Sequence, residues 1–161
     1  MIHFLSWLNR WYQGGLRFFR NLYTRCLLGE CGSSVQIDRG VTLLNPYHIS
    51  LGCNAILNQG VLLQATKHSS IKAGDNVVFS YRATILTAER KIEDNKISSD
   101  HQYADVVIGN NVWICANATI LPGTVIEDNV VVAAGAVAKG HLESGWIYAG
   151  IPAKPKKRLN D

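Results

Sequence analysis

Charged side chains are scarce in this sequence of 161 residues: they make up 17%, against 47% for apolar residues. Such a composition excludes a disordered chain and a coiled coil. The four cysteines (Cys26, Cys31, Cys53 and Cys115) have neither CxxC spacing nor a paired framework, which predicts a reduced, cytoplasmic setting. No apolar run approaches the ~20 residues of a transmembrane helix. Arg10 interrupts the N-terminal apolar run, which argues against a signal peptide.

A six-residue repeat runs through most of the chain. From Ile108 to Ala138 an aliphatic residue or alanine stands at every sixth position, and a small or β-branched residue follows four places after each of the first five. The same register is found in blocks beginning at Leu51 and Ala73, with a weaker turn beginning at Cys31. A period of six matches neither the 3.6 of an α-helix nor the alternation of an ordinary strand.

The period of six indicates a solenoid, in which each hexad forms one short strand and a corner. Three hexads complete a triangular coil, and the first residue of each hexad points inward and stacks on its equivalent one coil away. We therefore predict an all-β solenoid, a parallel β-helix of about five coils over residues 30–143. The alternative, a β-sandwich with accidental spacing, would not keep the period through three blocks.

Two interruptions of the repeat are visible. The register slips by four residues between Leu63 and Ala73, around Lys67 and His68, and a polar stretch separates Ile85 from Ile108. We interpret residues 86–107 as a loop that protrudes from the coils. Long loops on a rigid scaffold usually carry function, so this loop is the first place to look for catalytic groups.

The two ends of the chain are basic. Residues 1–29 are rich in Trp, Phe and Arg and contain no carboxylate, which is typical of an amphipathic helical cap over the open end of a solenoid or of a segment at a membrane surface. Both interpretations stay open. Residues 144–161 end in a lysine-rich run that we interpret as a C-terminal basic tail.

Four segments carry a more specific pattern: residues 107–114, 120–126, 132–137 and 149–154, the last reading Ala-Gly-Ile-Pro-Ala-Lys. Together they resemble the hexapeptide-repeat acyltransferases, a family that includes galactoside, maltose, chloramphenicol-type and serine acetyltransferases. The resemblance extends from about residue 31 to residue 158 and is closest to the branch that acetylates galactosides and other sugars. It implies a left-handed β-helix, a homotrimer with active sites in the clefts between subunits, and coenzyme A bound along such a cleft.

The resemblance also implies which residues meet the cofactor. Small residues line the pantetheine track, an aromatic residue flanks the thiol end, and lysines meet the phosphates and adenine. Multiply charged phosphates favour cations, and small side chains let backbone amides approach closely. The tail lysines have the alternative of simple solvent exposure, and the tryptophan that of a core or trimer contact. The candidates are Trp113, Ala116, Ala134, Lys139, Lys154 and Lys157.

The catalytic base of the family is missing. The family has a histidine at the start of the long loop, but this sequence has Glu89 and Arg90 there, and arginine is not a base at neutral pH. His101, near the far end of the loop, is our first candidate because imidazole groups exchange protons near neutrality. Glu89 is the second, provided that partial burial raises its pKa. The third possibility is an inactive copy or one that uses a different acceptor geometry.

We therefore expect an acetyl-CoA-dependent O-acetyltransferase that modifies a sugar hydroxyl in a glycan or polysaccharide precursor, without a metal. Its place would be the cytoplasm, peripheral to the inner face of the membrane. N-acetylation of an amino sugar and a catalytically inactive, partner-binding β-helix are the alternatives. A zinc carbonic anhydrase of the same fold would need three clustered histidines, and His68 and His101 belong to different coils. The aromatic and basic pattern of a nucleic-acid platform is absent.

Overall fold

The computed structural model describes residues 22–93 and 95–160. Residues 22–27 are helical, and almost all the regular structure that follows is in short strands. The prediction for residues 1–29 falls mostly on residues 1–21, which lie outside the described residues. Among the residues described, no helix is long and apolar enough to cross a membrane.

Parallel strands stack into three faces that run along the molecule, the arrangement of a left-handed β-helix. The first face consists of β1 (Glu30–Cys31), β4 (Ile49–Leu51), β7 (Ile71–Ala73), β12 (Val106–Ile108), β15 (Val125–Ile126) and β18 (His141–Leu142). The second consists of β2 (Gln36–Ile37), β5 (Ile56–Leu57), β8 (Val78–Phe79), β13 (Trp113–Ile114), β16 (Val131–Val132) and β19 (Trp146–Ala149). The third consists of β3 (Thr42–Leu44), β6 (Leu62–Gln64), β9 (Thr84–Leu86), β14 (Thr119–Ile120) and β17 (Val137–Ala138).

The hexad positions form the core, as predicted. On the second face Leu57, Phe79, Ile114 and Val132 are aligned from coil to coil, and all four are buried. Every hexad position from residue 51 to residue 138 is buried in the same way. Apart from the four-residue β19, each strand of the three faces is only two or three residues long, so one inward side chain per strand, stacked on its neighbours, supplies the apolar contacts.

The described residues form six coils on two faces and five on the third, one more than the sequence pattern showed. The additional coil begins at Leu142, and its next inward residue, Tyr148, follows six places later. Leu142 follows Ala138 after a step of four positions instead of six, because the corner between them is shortened by two residues. The change of register hides this coil in the sequence.

The corners between the first and second faces are formed by asparagines in the left-handed conformation. Asn54, Asn76, Asn111 and Asn129 have φ of 58°, 56°, 55° and 57°. Asparagine tolerates this region better than other residues that carry a Cβ. Side-chain hydrogen bonds join Asn54 to Asn76 and Asn111 to Asn129, so these corners also stack.

All irregular steps of the coil fall at the corner between the third and first faces, which we call the hairpin corner. Across this corner, the step from one inward residue to the next is eight positions in the first coil, ten in the second and 23 in the third, instead of six. The inserted segments are a 3-10 helix (Pro46–His48), a turn at residues 66–69, and an antiparallel hairpin of β10 (Ala88–Glu93) and β11 (Lys96–Tyr103). The predicted loop is thus largely a hairpin, and the three insertions lie side by side.

The C-terminal segment folds back on the last coil. β20 (Lys154–Arg158) pairs antiparallel with β19, and the Arg158 guanidinium lies 4.4 Å from the centre of the Trp146 ring. The backbone N–H of Ala153 donates to Val137 O at 2.8 Å, which extends the third face. Residues 154–158 are therefore an exposed edge strand and not an extended tail.

Candidate active site

The two candidates for the catalytic base, Glu89 and His101, lie on opposite faces of the β10–β11 hairpin. In its register Ala88 lies opposite Tyr103, Glu89 opposite Gln102, and Arg90 opposite His101. Directly opposed residues share one face of a two-stranded ribbon, and successive pairs alternate between faces. Glu89 therefore lies on one face, and His101 lies with Tyr103 on the other.

Glu89 takes part in an ion pair. Lys139 Nζ donates to Glu89 Oε1 at 2.8 Å, and Gln102 Nε2 donates to the same oxygen. The hydrogen bond from Lys139 is the main reason why the pKa of Glu89 is lowered, although partial burial opposes it. Glu89 was a candidate base only on the condition that burial raised its pKa, and that condition is not met because the hydrogen bond from Lys139 outweighs the effect of burial. Glu89 is consequently a weak base, and Lys139 already has an anionic partner.

His101 faces a cleft of about 390 Å³ beneath the hairpin. The rings of His101 and Tyr103 are stacked with centroids 6.2 Å apart, and the His68 ring lies 5.0 Å from that of Tyr103. Tyr47, from the 3-10 helix of the first coil, lines the same cleft. The sequence pointed to the two histidines but not to the two tyrosines. Tyr47 and Tyr103 both lie in segments inserted at the hairpin corner, and that shared location is the signal by which the sequence could have indicated them.

A chain of hydroxyl groups lies under this cleft. The N–H of His68 donates to Thr66 Oγ1 at 3.1 Å, and Thr66 Oγ1 lies 2.7 Å from Ser69 Oγ. Ser69 then donates to Thr87 Oγ1 at 2.7 Å, and Thr87 donates to Gln64 O at 3.0 Å. Ser69 and Thr87 are buried, so the chain joins the turn that carries His68 to the base of the hairpin. Sequence analysis missed this network.

Ala116 and Ala134 occupy the corner between the second and third faces, which we call the alanine corner. The N–H of Gly135 donates to Ala116 O at 2.9 Å, so the two alanines belong to stacked corners of adjacent coils. One coil below, Tyr81 O accepts the N–H of Asn117 at 3.0 Å. The small side chains leave the backbone of two coils accessible, as a ligand held by main-chain groups requires.

Trp113 lies on the second face, next to the alanine corner. Its side chain points outward, the residue is 51% exposed, and its Nε1 donates to Ser80 Oγ at 2.8 Å. The alternative of a core aromatic is therefore excluded. Lys154 and Lys157 are exposed on β20, which pairs with the last strand of this same face.

The candidates thus form two groups. The second face and the alanine corner hold Trp113, Ala116 and Ala134 and, through β20, Lys154 and Lys157. The hairpin corner holds Glu89, His101 and Lys139. Within residues 22–93 and 95–160 no hydrogen bond or ion pair joins the two groups. In the same ranges there is no cluster of three or more His, Cys, Asp or Glu side chains that could hold a metal ion.

Comparison with known proteins agrees with this architecture. Residues 105–140 match the model of the bacterial transferase hexapeptide (six repeats). Over 139 residues the chain is 32% identical to a Saccharomyces cerevisiae protein named as an acetyltransferase, covering 85% of this chain and 69% of that one. It is 30% identical over 127 residues to WbbJ of Escherichia coli (strain K12), named as a lipopolysaccharide biosynthesis O-acetyl transferase. That alignment covers 79% of this chain but only 59% of WbbJ.

A solved structure shows the same fold. The hexapeptide-repeat acetyltransferase of Vibrio cholerae, crystallised with acetyl-coenzyme A, superposes with a TM-score of 0.80 at 23% identity. The match covers 88% of this chain and 77% of that one. The stacked hexads, the small-residue corner and these alignments lead to one conclusion: the chain belongs to the hexapeptide-repeat transferase family.

Proposed function

We propose that this protein transfers an acetyl group from acetyl-coenzyme A to a hydroxyl group of a sugar. The observation that carries the proposal is the alanine corner, where the small side chains of Ala116 and Ala134 stack in adjacent coils beside the exposed Trp113. The family supplies the reaction class, and the name of WbbJ, an O-acetyl transferase of lipopolysaccharide synthesis, supports a sugar acceptor.

In the proposed reaction the acceptor oxygen attacks the thioester carbon while a base takes its proton. The tetrahedral intermediate then collapses, the C–S bond breaks, and coenzyme A leaves as a thiol after receiving a proton. We assign the base to His101, since the ion pair with Lys139 makes Glu89 a weaker proton acceptor. Lys139, Lys154 and Lys157 are the candidates for the phosphates and adenine of the cofactor.

Because His101 and the alanine corner lie at different corners of one subunit, we propose that the site forms between subunits of a homotrimer. The hairpin tip supports this arrangement, since Ile92 and Ile97 oppose each other and are 75% and 74% exposed. An apolar pair at the end of a projecting ribbon is better accommodated against a neighbouring subunit than in water. Light scattering should give a trimer mass for the natural chain and a smaller mass for Ile92→Ser/Ile97→Ser.

Release of coenzyme A thiol from acetyl-CoA, measured with galactoside and amino-sugar acceptors side by side, tests the reaction. His101→Ala should lower kcat by about 10²–10⁴-fold, the usual contribution of a general base. His141→Ala is the matched control, because the exposed His141 pairs with Glu127 on the first face and does not line the cleft of His101. Full activity of His101→Ala would remove it as the base. Faster acetylation of amino sugars would favour N-acetylation, and failure to bind coenzyme A in calorimetry would favour a non-catalytic partner-binding protein.

We further propose that the protein acts in the cytoplasm, with residues 1–29 contacting the inner face of the membrane. The basic, aromatic composition of that segment supports the idea. Deletion of residues 2–25 should lower the fraction that sediments with anionic vesicles. Unchanged sedimentation would contradict the membrane role and favour a cap over the first coil.

A further inference from the structure

The cleft beneath the hairpin, on the His101 face, points to a second binding surface beside the cofactor track. We propose that it holds the sugar ring of the acceptor, stacked on Tyr103 between His68 and His101. This inference rests on the proposed function, because it assigns the acceptor of the same reaction. The alanine corner and the Glu89 face of the hairpin take no part in it.

The aromatic rings are the first argument. His68 and His101 both pack on Tyr103, with centroid distances of 5.0 Å and 6.2 Å, and Tyr47 lines the cleft from the first coil. Tyr47 and Tyr103 remain 60% and 43% exposed, so their rings are open to a ligand. A pyranose ring has an apolar face of C–H groups and a rim of hydroxyls. Tyrosine and histidine match both features, with a ring face and a polar edge.

The polar groups of the cleft are the second argument. Asn45, Gln64 and Lys67 line it, together with the tyrosines and histidines, and among the described residues no carboxylate lines the cleft. The Asn45 amide is fixed by its hydrogen bond to Ala65 O at 2.9 Å. Amides and hydroxyls around an aromatic floor recognise a neutral polar ring, and the ammonium group of Lys67 also admits an anionic sugar.

The rigidity of the cleft is the third argument. Its walls are three insertions stacked at one corner, and the turn that carries His68 is tied to the hairpin base by the buried hydroxyls of Ser69 and Thr87. Binding groups held on such a framework lose little conformational freedom when a ligand arrives. The volume of about 390 Å³ lies within the usual range of small-molecule sites.

The test uses the full chain and a panel of methyl glycosides of galactose, glucose, rhamnose and N-acetylglucosamine. Saturation-transfer NMR should detect at least one of them on the natural protein. The signal should fall at least fivefold in Tyr103→Leu and in Tyr47→Leu. Tyr23→Leu is the matched control, since Tyr23 is 68% exposed in the N-terminal helical segment. Circular dichroism and the coenzyme A affinity of each variant show whether the β-helix is intact.

In the transfer assay, Tyr103→Leu should raise KM for the sugar about tenfold and leave KM for acetyl-CoA unchanged. The inference is overturned if no glycoside binds, or if both tyrosine variants bind glycosides as the natural chain does. Tyr47 and Tyr103 come from different coils, and only Tyr103 belongs to the hairpin. If Tyr103→Leu disturbs the hairpin, Tyr47→Leu therefore still tests the inference. Glycoside binding without any thiol release would refute the proposed reaction and leave the saccharide cleft standing.

Discussion

Substitution of Thr87 by valine should destabilise the protein through its hydroxyl group alone. Valine keeps the volume of threonine, so the core packing around this fully buried side chain is preserved. Two hydrogen bonds disappear: the one that Thr87 donates to Gln64 O at 3.0 Å and the one that it accepts from Ser69 at 2.7 Å. At about 0.5–1.5 kcal/mol each, these bonds amount to about 1–3 kcal/mol.

The remaining contacts place the expected loss toward the lower end, about 1–2 kcal/mol. Gln64 O still accepts the backbone N–H of Thr87 at 3.2 Å, and Ser69 Oγ still has Thr87 O within 3.2 Å. No buried group is therefore orphaned. Thr84→Val, three residues earlier in β9, is the control, because Thr84 is not fully buried and its neighbour Ile85 is the inward residue, and its cost should stay within about 0.5 kcal/mol.

Guanidinium unfolding at a fixed protein concentration measures the global loss. Amide hydrogen exchange of His68 measures the local one, since its N–H begins the hydroxyl chain. A loss of this size corresponds to exchange about 5- to 30-fold faster. Combining Thr87→Val with Ser69→Ala should cost less than the sum of the two single changes. If Thr87→Val costs no more than Thr84→Val, the hydroxyl chain does not hold the turn to the hairpin.

Three further changes probe other parts of the molecule. Lys139→Met should raise the pKa of Glu89, because pairing with Lys139 lowers that pKa from 4.5. The stabilisation by the pair is complete above pH 4.5 and is lost as the pH falls through the lowered pKa, so the natural chain should lose stability more steeply on acidification than the variant. Equal slopes of stability against pH would contradict the pairing. Gly52→Ala should lower the free energy of unfolding by about 1–3 kcal/mol, because the new Cβ would meet backbone atoms of the next coil at 2.5 Å. An unchanged midpoint of guanidinium unfolding would disprove this close packing. Arg158→Met should lower the free energy of unfolding by about 0.5–1 kcal/mol and change the fluorescence of Trp146, because the guanidinium lies 4.4 Å from the centre of that ring. An unaltered fluorescence spectrum would argue against the contact.

The coils were predictable because each hexad carries its own evidence. Ile114 and Ile120 belong to different faces, yet both are inward positions six residues apart, and both are buried. The prediction failed where this local rule changed, at the shortened step from Ala138 to Leu142. Two missing residues at a corner move the register without altering the strands, and nothing in the composition marks the change.

The candidate site was only partly predictable. Sequence analysis singled out His68 and His101, but it also joined His101 and Glu89 as alternatives for one position. The hairpin register assigns them to opposite faces. The sequence also left open whether the pKa of Glu89 is raised or lowered, for a related reason: its partner Lys139 is 50 residues away in sequence, and only the stacking of coils brings the two together.

By itself, the sequence determined the coiled scaffold, its inward positions and its membership of a transferase family. A period of six can bury its apolar residues in one way, by stacking strand on strand, so the core follows from spacing alone. The tertiary structure decided what surrounds the cleft. Tyr47, His68 and Tyr103 come from three coils, and they meet because each insertion leaves the β-helix at the same corner. Residue spacing within a coil does not predict which side chains from different coils come into contact, because those contacts depend on which corners lie above one another.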